Sequence, residues 1–393
     1  MKKLTVAVAL LFACASAFAQ SPATPPKREA GFKAGELAPP LQVAEWVKGA
    51  PIAQLEKGKV YLVEFWAVWC GPCIGNIPHL NAMQKKYGKD GLVVIGFSNP
   101  DVAAGETTAR KEGNTLEQVR AFVAGRGARM DYHVAYDTPD KATYKSWMNT
   151  MGGIPHAFLI DREGRLAVNF HPYYMDDAIQ QVLAGTWDNV EGYKKLRRSS
   201  ELYGETLRTK TYDEFRATYG KMESEFPFLA HRMLDVKFDR VRLARDEKEF
   251  VPTASAMLAA AREEGNGAAV AAIVRSQLRP RPAARPPTDS ANASAEVRQR
   301  NAEAAAKAAQ REEDEKTALK LPLELLAQMA DTACAVSKDA DPVALSAKAE
   351  VAFARGDRPA AIELQTKAAA LASGTAKTTE EKRLADFKSA PGS

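Results

Sequence analysis

Two cysteines separated by two residues, Cys70 and Cys73, close the stretch Val63-Glu64-Phe65-Trp66-Ala67-Val68-Trp69-Cys70-Gly71-Pro72-Cys73. A thiol pair that makes and reopens a disulfide must do so without moving the backbone far. Positions i and i+3 share a helix face, and one turn brings their Cα atoms within the roughly 4.4–6.8 Å that a disulfide spans. Pro72 suits a first helical turn, where an N–H would have no partner in any case. Cys70 then sits at the positive end of the helix beside free N–H groups. Such a place favours the thiolate and lowers a thiol pKa from about 8.5 into the range of roughly 3.5–7.5. Cys73, one turn deeper, is expected to be the more buried. The spacing therefore makes Cys70 the attacking sulfur and Cys73 the resolving one.

Glu64 is the second chemical signal. It interrupts Val60 to Trp66, an otherwise apolar and aromatic run of the kind buried on both faces of a sheet. A carboxylate there is costly unless paired or neutral, and desolvation raises its pKa, which makes it a proton acceptor for Cys73. The competing reading places Glu64 at a sheet edge, where it only solvates. A zinc site would need two further ligands. Of four cysteines only Cys334 remains after the pair and Cys14 of the leader, and the five histidines are scattered, so no metal and no cofactor is expected.

Stepping along the chain gives the elements that must hold these groups. Gly35 to Lys59 is expected to form an opening hairpin and a short helix. Strand Val60–Trp66, a helix from Cys73 to Tyr87 and strand Leu92–Phe97 follow. Ser98 to Gly113 reads as a polar loop, and Asn114-Thr115-Leu116-Glu117 as a capping-box-like start to a helix through Val123. His133–Tyr136 is a short strand and Lys141–Met148 a helix. Strands Ala157–Ile160 and Leu166–Phe170 run antiparallel across the turn Asp161-Arg162-Glu163-Gly164, and Met175–Ala184 closes the unit.

Trp69-Cys70-Gly71-Pro72-Cys73 after this Val-x-Phe-Trp-Ala strand resembles thioredoxin, over residues 34–190. Within that superfamily, Cys73-Ile74-Gly75-Asn76-Ile77-Pro78-His79-Leu80 is similar to the secreted TlpA-like thiol–disulfide reductases, relatives of the AhpC/TSA redoxins. The resemblance implies an α/β thioredoxin fold, a central mixed sheet flanked by helices. It implies that Glu64 is the buried acid, that Pro78 kinks the active-site helix, and that Gly153-Ile154-Pro155 is the loop whose cis-proline receives the substrate backbone. Gly71, Pro72 and Ile154 resemble the reducing members, and Trp69 packs and shields the thiol where a partner docks. Three positions depart from the pattern: no lysine in Leu92–Phe97, Asn76 where an acid is common, and His156 where Thr is commoner. His156 follows the substrate-binding proline; it is read as lining the groove and pointing away rather than as a cation beside the disulfide. A peroxidatic site would resemble Pro-x-x-x-Thr-x-x-Cys, but Ala67 stands three residues before Cys70.

Residues 1–19 read as a signal peptide: Lys2 and Lys3, the apolar run Leu4 to Phe12, then Ala17-Phe18-Ala19. Leu11-Phe12-Ala13-Cys14 is only a weak lipobox, so membrane attachment is expected only through lipidation of Cys14. Residues 20–33 form a flexible leader. Beyond 190 strand signals stop and Ala, Glu, Lys and Arg dominate. Residues 191–278 are expected to be helical, with a hairpin through Gly265-Asn266-Gly267; 279–317 form a Pro/Arg-rich and charged linker; and 318–393 form helical hairpins. Ala349 to Ala372, around Gly356-Asp357, resembles one tetratricopeptide-type unit. The net charge of +5 is too mild to argue for nucleic acid. These readings describe an exported or periplasmic reductase of protein disulfides with an all-α C-terminal domain. A membrane thiol supplies its electrons and a protein partner binds its C-terminal helices. The alternatives are a thiol peroxidase and a helical scaffold with a residual redox domain.

Overall fold

The computed structural model describes residues 30–100, 114–149, 151, 153–278, 294–372 and 374–389. Residues 1–29 with Cys14, most of the expected 98–113 loop and the Pro/Arg-rich stretch 279–293 lie outside the described residues, and the end of the expected leader is not free, since Phe32 is buried in the core. A six-stranded sheet is built from β1 (Val43–Lys48), β2 (Val60–Trp66), β3 (Leu92–Ser98), β4 (His133–Asp137), β5 (His156–Ile160) and β6 (Leu166–Phe170). Their order across the sheet is β1-β4-β3-β2-β5-β6, with β2, β3 and β4 parallel and the others antiparallel to their neighbours. All seven residues of β2 are buried, because it is central and has helices on both faces. Alternation then divides its side chains. Leu62 and Trp66 pack with α1 (Gly71–Tyr87), α2 (Leu116–Arg126) and α4 (Asp176–Ala184). Tyr61, Val63 and Phe65 pack on the other face with Phe32 and with Trp147 and Met148 of α3 (Ala142–Met148). The side chain of Thr115 and the Gln118 side chain cap α2 reciprocally.

The opening hairpin and short helix expected between Gly35 and Lys59 are not formed. That stretch supplies one strand, β1, which pairs antiparallel with β4 some ninety residues on. Gly49 and Gly58 take positive φ and Pro51 lacks an N–H, so the chain turns rather than coiling, while Val43, Trp46, Ile52 and Leu55 pack beneath the α3 face.

The remaining helices are α5 (Asn189–Arg208), α6 (Tyr212–Glu225), α7 (Pro227–Arg232), α8 (Leu234–Ala244), α9 (Glu247–Glu264), α10 (Ala268–Leu278), α11 (Ala295–Thr317), α12 (Leu323–Ser337), α13 (Pro342–Ala354), α14 (Arg358–Leu371) and α15 (Gly374–Ser389). Helices from both sides of residues 279–293 share one core. Phe238, Phe250 and Val274 meet Leu326, Met329, Ala333 and Leu345 there. Cys334 lies in that core, and burial pushes its thiol up to about 11, so it behaves as a small hydrophobe. The charged α11 is held by Glu315, which takes two hydrogen bonds from Arg242. Among the described residues no helix is long and apolar enough to cross a membrane.

Candidate active site

Cys70 is the N-cap of α1. Its Sγ accepts a hydrogen bond from the Cys73 N–H at 3.3 Å, and the two cysteines are joined as a disulfide with Cα atoms 5.2 Å apart. Pro72 occupies the first turn, which carries no acidic residue, so the helix field at Cys70 is uncompensated. The structure starts this helix at Gly71, two residues before the expected Cys73, because the cysteine sulfur itself caps it. Both sulfurs belong to the buried cluster, Cys73 deeper than Cys70. Gly71 and Pro72 are exposed beside them.

Facing Cys70 is the loop before β5. The Ile154 carbonyl oxygen lies 3.7 Å from Cys70 Sγ, and the Ile154–Pro155 peptide is cis. Ile154 and Trp69 are half-buried against the same core as the disulfide, and Pro155 is buried. His156 is placed differently. It opposes Phe65 in the sheet register and packs edge-on against Phe158, on the face away from α1. Its Nε2 is 3.2 Å from Asn169 Oδ1, and burial lowers its pKa, so it is neutral at neutral pH. The structure therefore gathers Cys70, Cys73, Trp69, Gly71, Pro72, Ile154 and Pro155 and leaves the His156 ring outside the group.

Glu64 lies on the α1 face of β2, between Gly96 of β3 and Ala157 of β5. It is 1% exposed, and burial raises its pKa well above the ordinary carboxylate value. Gly96 is required there. A Cβ at that position would stand 3.1 Å from both Trp66 Nε1 and Tyr132 Cε2, each on a fully packed ring. Gly96→Ala is expected to destabilise the fold by about 1–2 kcal/mol, overpacking outweighing the smaller unfolded-state gain. A lowered urea midpoint at unchanged slope would show it.

Sequence reasoning missed a polar cluster behind α1. Arg232, at the end of α7, donates to Asn76 Oδ1 at 2.9 Å and to the Tyr173 carbonyl at 2.9 Å, and its guanidinium lies 3.8 Å from the Tyr173 ring centre. Its Nη1 is 3.8 Å from Asp176 Oδ2, which also sits 3.2 Å from His79 Nε2. Burial pushes the Asp176 carboxyl up, but His79 and Arg232 outweigh it and hold the pKa below the usual aspartate value. The helical half thus grips the active-site helix one turn beyond Cys73. Nothing local marks Arg232 in the sequence, since its partner Asn76 is 156 residues away.

Residues 34–169 match the AhpC/TSA family. Protein FixW of Rhizobium leguminosarum is 26% identical over 170 residues, 43% of this chain and 73% of that protein. The thiol:disulfide interchange protein HelX of Rhodobacter capsulatus is 29% identical over 161 residues, 39% of this chain and 80% of that protein. Among solved structures, a thiol:disulfide interchange protein of the thioredoxin family from Chlorobium tepidum aligns at 24% identity with a TM-score of 0.30, over 39% of this chain and 99% of that one. With a sheet and helices in the thioredoxin arrangement and a dithiol pair closed at the start of α1, residues 34–169 are similar to the AhpC/TSA family and to thiol–disulfide oxidoreductases of the thioredoxin superfamily.

Proposed function

We propose that the chain is an exported reductase of protein disulfides working through Cys70-Gly71-Pro72-Cys73. The observation that carries this reading is the position of Cys70 Sγ, at the N-terminus of α1 and 3.7 Å from the Ile154 carbonyl of the loop that would receive a substrate backbone. In the reduced enzyme the Cys70 thiolate attacks one sulfur of a substrate disulfide, and the substrate's other sulfur leaves as a thiolate. Cys73, its proton taken by Glu64, then attacks Cys70 Sγ and releases the second substrate thiol. Two electrons have passed to the substrate, and the enzyme is left with the Cys70–Cys73 disulfide. A thiol donor on the membrane would restore the dithiol in an exported protein. Pro155 and Ile154 align the substrate strand, and Trp69, Gly71 and Pro72 border it. The helical half, with its tetratricopeptide-like pair α13 and α14, binds a partner and braces α1 through Arg232.

The direction of transfer is tested by equilibrating the couple with glutathione or dithiothreitol and following the Cys70–Cys73 bond. A potential near roughly −270 mV is expected, and one near roughly −120 mV, where strong oxidants lie, would overturn the reducing assignment.

A further inference from the structure

Three buried polar atoms on the α1 side of the sheet have no hydrogen-bond partner among the described residues: Glu64 Oε1, Trp66 Nε1 and Tyr132 Oη. Their side chains are 1%, 1% and 4% exposed. Buried polar groups are satisfied in folded proteins, and each one left bare costs about 1–3 kcal/mol. The three are neighbours. Glu64 and Trp66 project from the same face of β2, and Gly96, opposite Glu64 in the register, would bring a Cβ against both Trp66 Nε1 and Tyr132 Cε2. The glycine lets the Trp66 indole N–H and the edge of the Tyr132 ring pack against the backbone beside Glu64. Such a polar, enclosed site suits water, which makes two to four hydrogen bonds when buried.

We propose that Glu64, Trp66 and Tyr132 together hold buried water on the α1 side of the sheet, and that Tyr132 is a positioning residue that sets the protonation of Glu64. The polarity of the donors gives the sign. The Trp66 N–H only donates, the Tyr132 hydroxyl can donate, and Glu64 is the acceptor among the three, so the site favours the carboxylate against the cost of burial. Burial itself raises both Glu64 and Tyr132. The Glu64 charge adds to the rise at Tyr132, and Arg126 at the end of α2 opposes it. The other titratable groups on this side of the sheet among the described residues include Tyr136 of β4, His79 of α1, Asp176 of α4 and, once reduced, Cys70 and Cys73. The consequence for catalysis rests on the proposed role of Glu64 as proton acceptor for Cys73, but the site itself does not.

The full-length oxidised protein, carrying ¹³C in its glutamate carboxyls, tests it, with Glu64→Gln identifying the Glu64 resonance. Tyr132→Phe is expected to move the Glu64 midpoint upward by about one pH unit, the worth of a hydrogen bond to a charged group. A hydroxyl with a merely structural role would alter the urea midpoint and leave that titration unmoved, which would overturn the proposal. A cross-relaxation peak between the Trp66 indole N–H and water is expected in the wild type, and its absence would overturn the hydration. In the reduced protein the pH profile of Cys73 alkylation should shift with Glu64. A Glu64 midpoint that moves while Cys73 stays fixed would sustain the site and sink the proton-acceptor reading instead.

Discussion

A Cys73→Ala variant is expected to accumulate its substrate as a stable mixed disulfide on Cys70, while Cys70→Ser should bring disulfide reduction down to background. The asymmetry follows from position along α1. Cys70 caps the helix, where the Cys73 N–H and the helix field stabilise an anionic sulfur, and it faces the Ile154 carbonyl that would pair with an extended substrate. Cys73 lies deeper in the core, and in the proposed mechanism it attacks Cys70 Sγ once the substrate is attached. Without that second attack the intermediate persists until an outside thiol reaches it. Losing the nucleophile removes covalent catalysis altogether, a fall of about 10³-fold or more. Non-reducing electrophoresis of Cys73→Ala mixed with a disulfide-bonded test protein gives the readout. An adduct carried by Cys70→Ala and not by Cys73→Ala would reverse the roles of the two sulfurs, and an absence of adduct with either variant would remove exchange from the chain's activities.

How far this site could be read from residues alone depended on the range of the interactions that build it. Cys70, Pro72 and Cys73 act within one turn, so their spacing carried their geometry. Glu64 stood out because six apolar neighbours left it no local reason to be there, and β2 does lie buried between two helical layers. The capping pair of α2 was equally local: Thr115 and Gln118 are three residues apart. What escaped was non-local. Nothing in Val43–Lys48 indicates that its partner strand is β4 rather than its neighbour in sequence. Tyr132 carries no local signal, and only the fold sets it beside Trp66 and Gly96. His156, read as lining the groove after Pro155 and pointing away from the disulfide, does turn its ring away, and strand alternation carries it to the opposite face of the sheet.

Arg232→Ala should destabilise the fold by about 3 kcal/mol, the low end for removing one partner of a buried ion pair. The side chains of Arg232 and Asp176 are 10% and 6% exposed, so solvent screens them little. Truncation would strip Asn76 Oδ1 and the Tyr173 carbonyl of their donor and uncover the Tyr173 ring, while His79 stays beside Asp176 and limits the damage. The pH dependence carries a sign that neutral packing loss would not. Because the folded Asp176 pKa lies below its unfolded value, its contribution is complete above the usual aspartate value of about 3.8 and fades as the pH falls through the lower folded one. Removing Arg232 gives back part of that depression, so the acid-unfolding midpoint should move to higher pH. Arg232→Lys keeps the charge but not the fork that reaches Asn76 and Tyr173 together, and it should recover the acid midpoint better than the stability. Since Asn76 lies on the turn of α1 that follows Cys73, amide exchange in α1 should also accelerate in Arg232→Ala. Urea unfolding at several pH values, with exchange measured across Gly71–Tyr87, would decide the matter. Unchanged protection in α1 would mean that the helical half rests against the redox domain without bracing it.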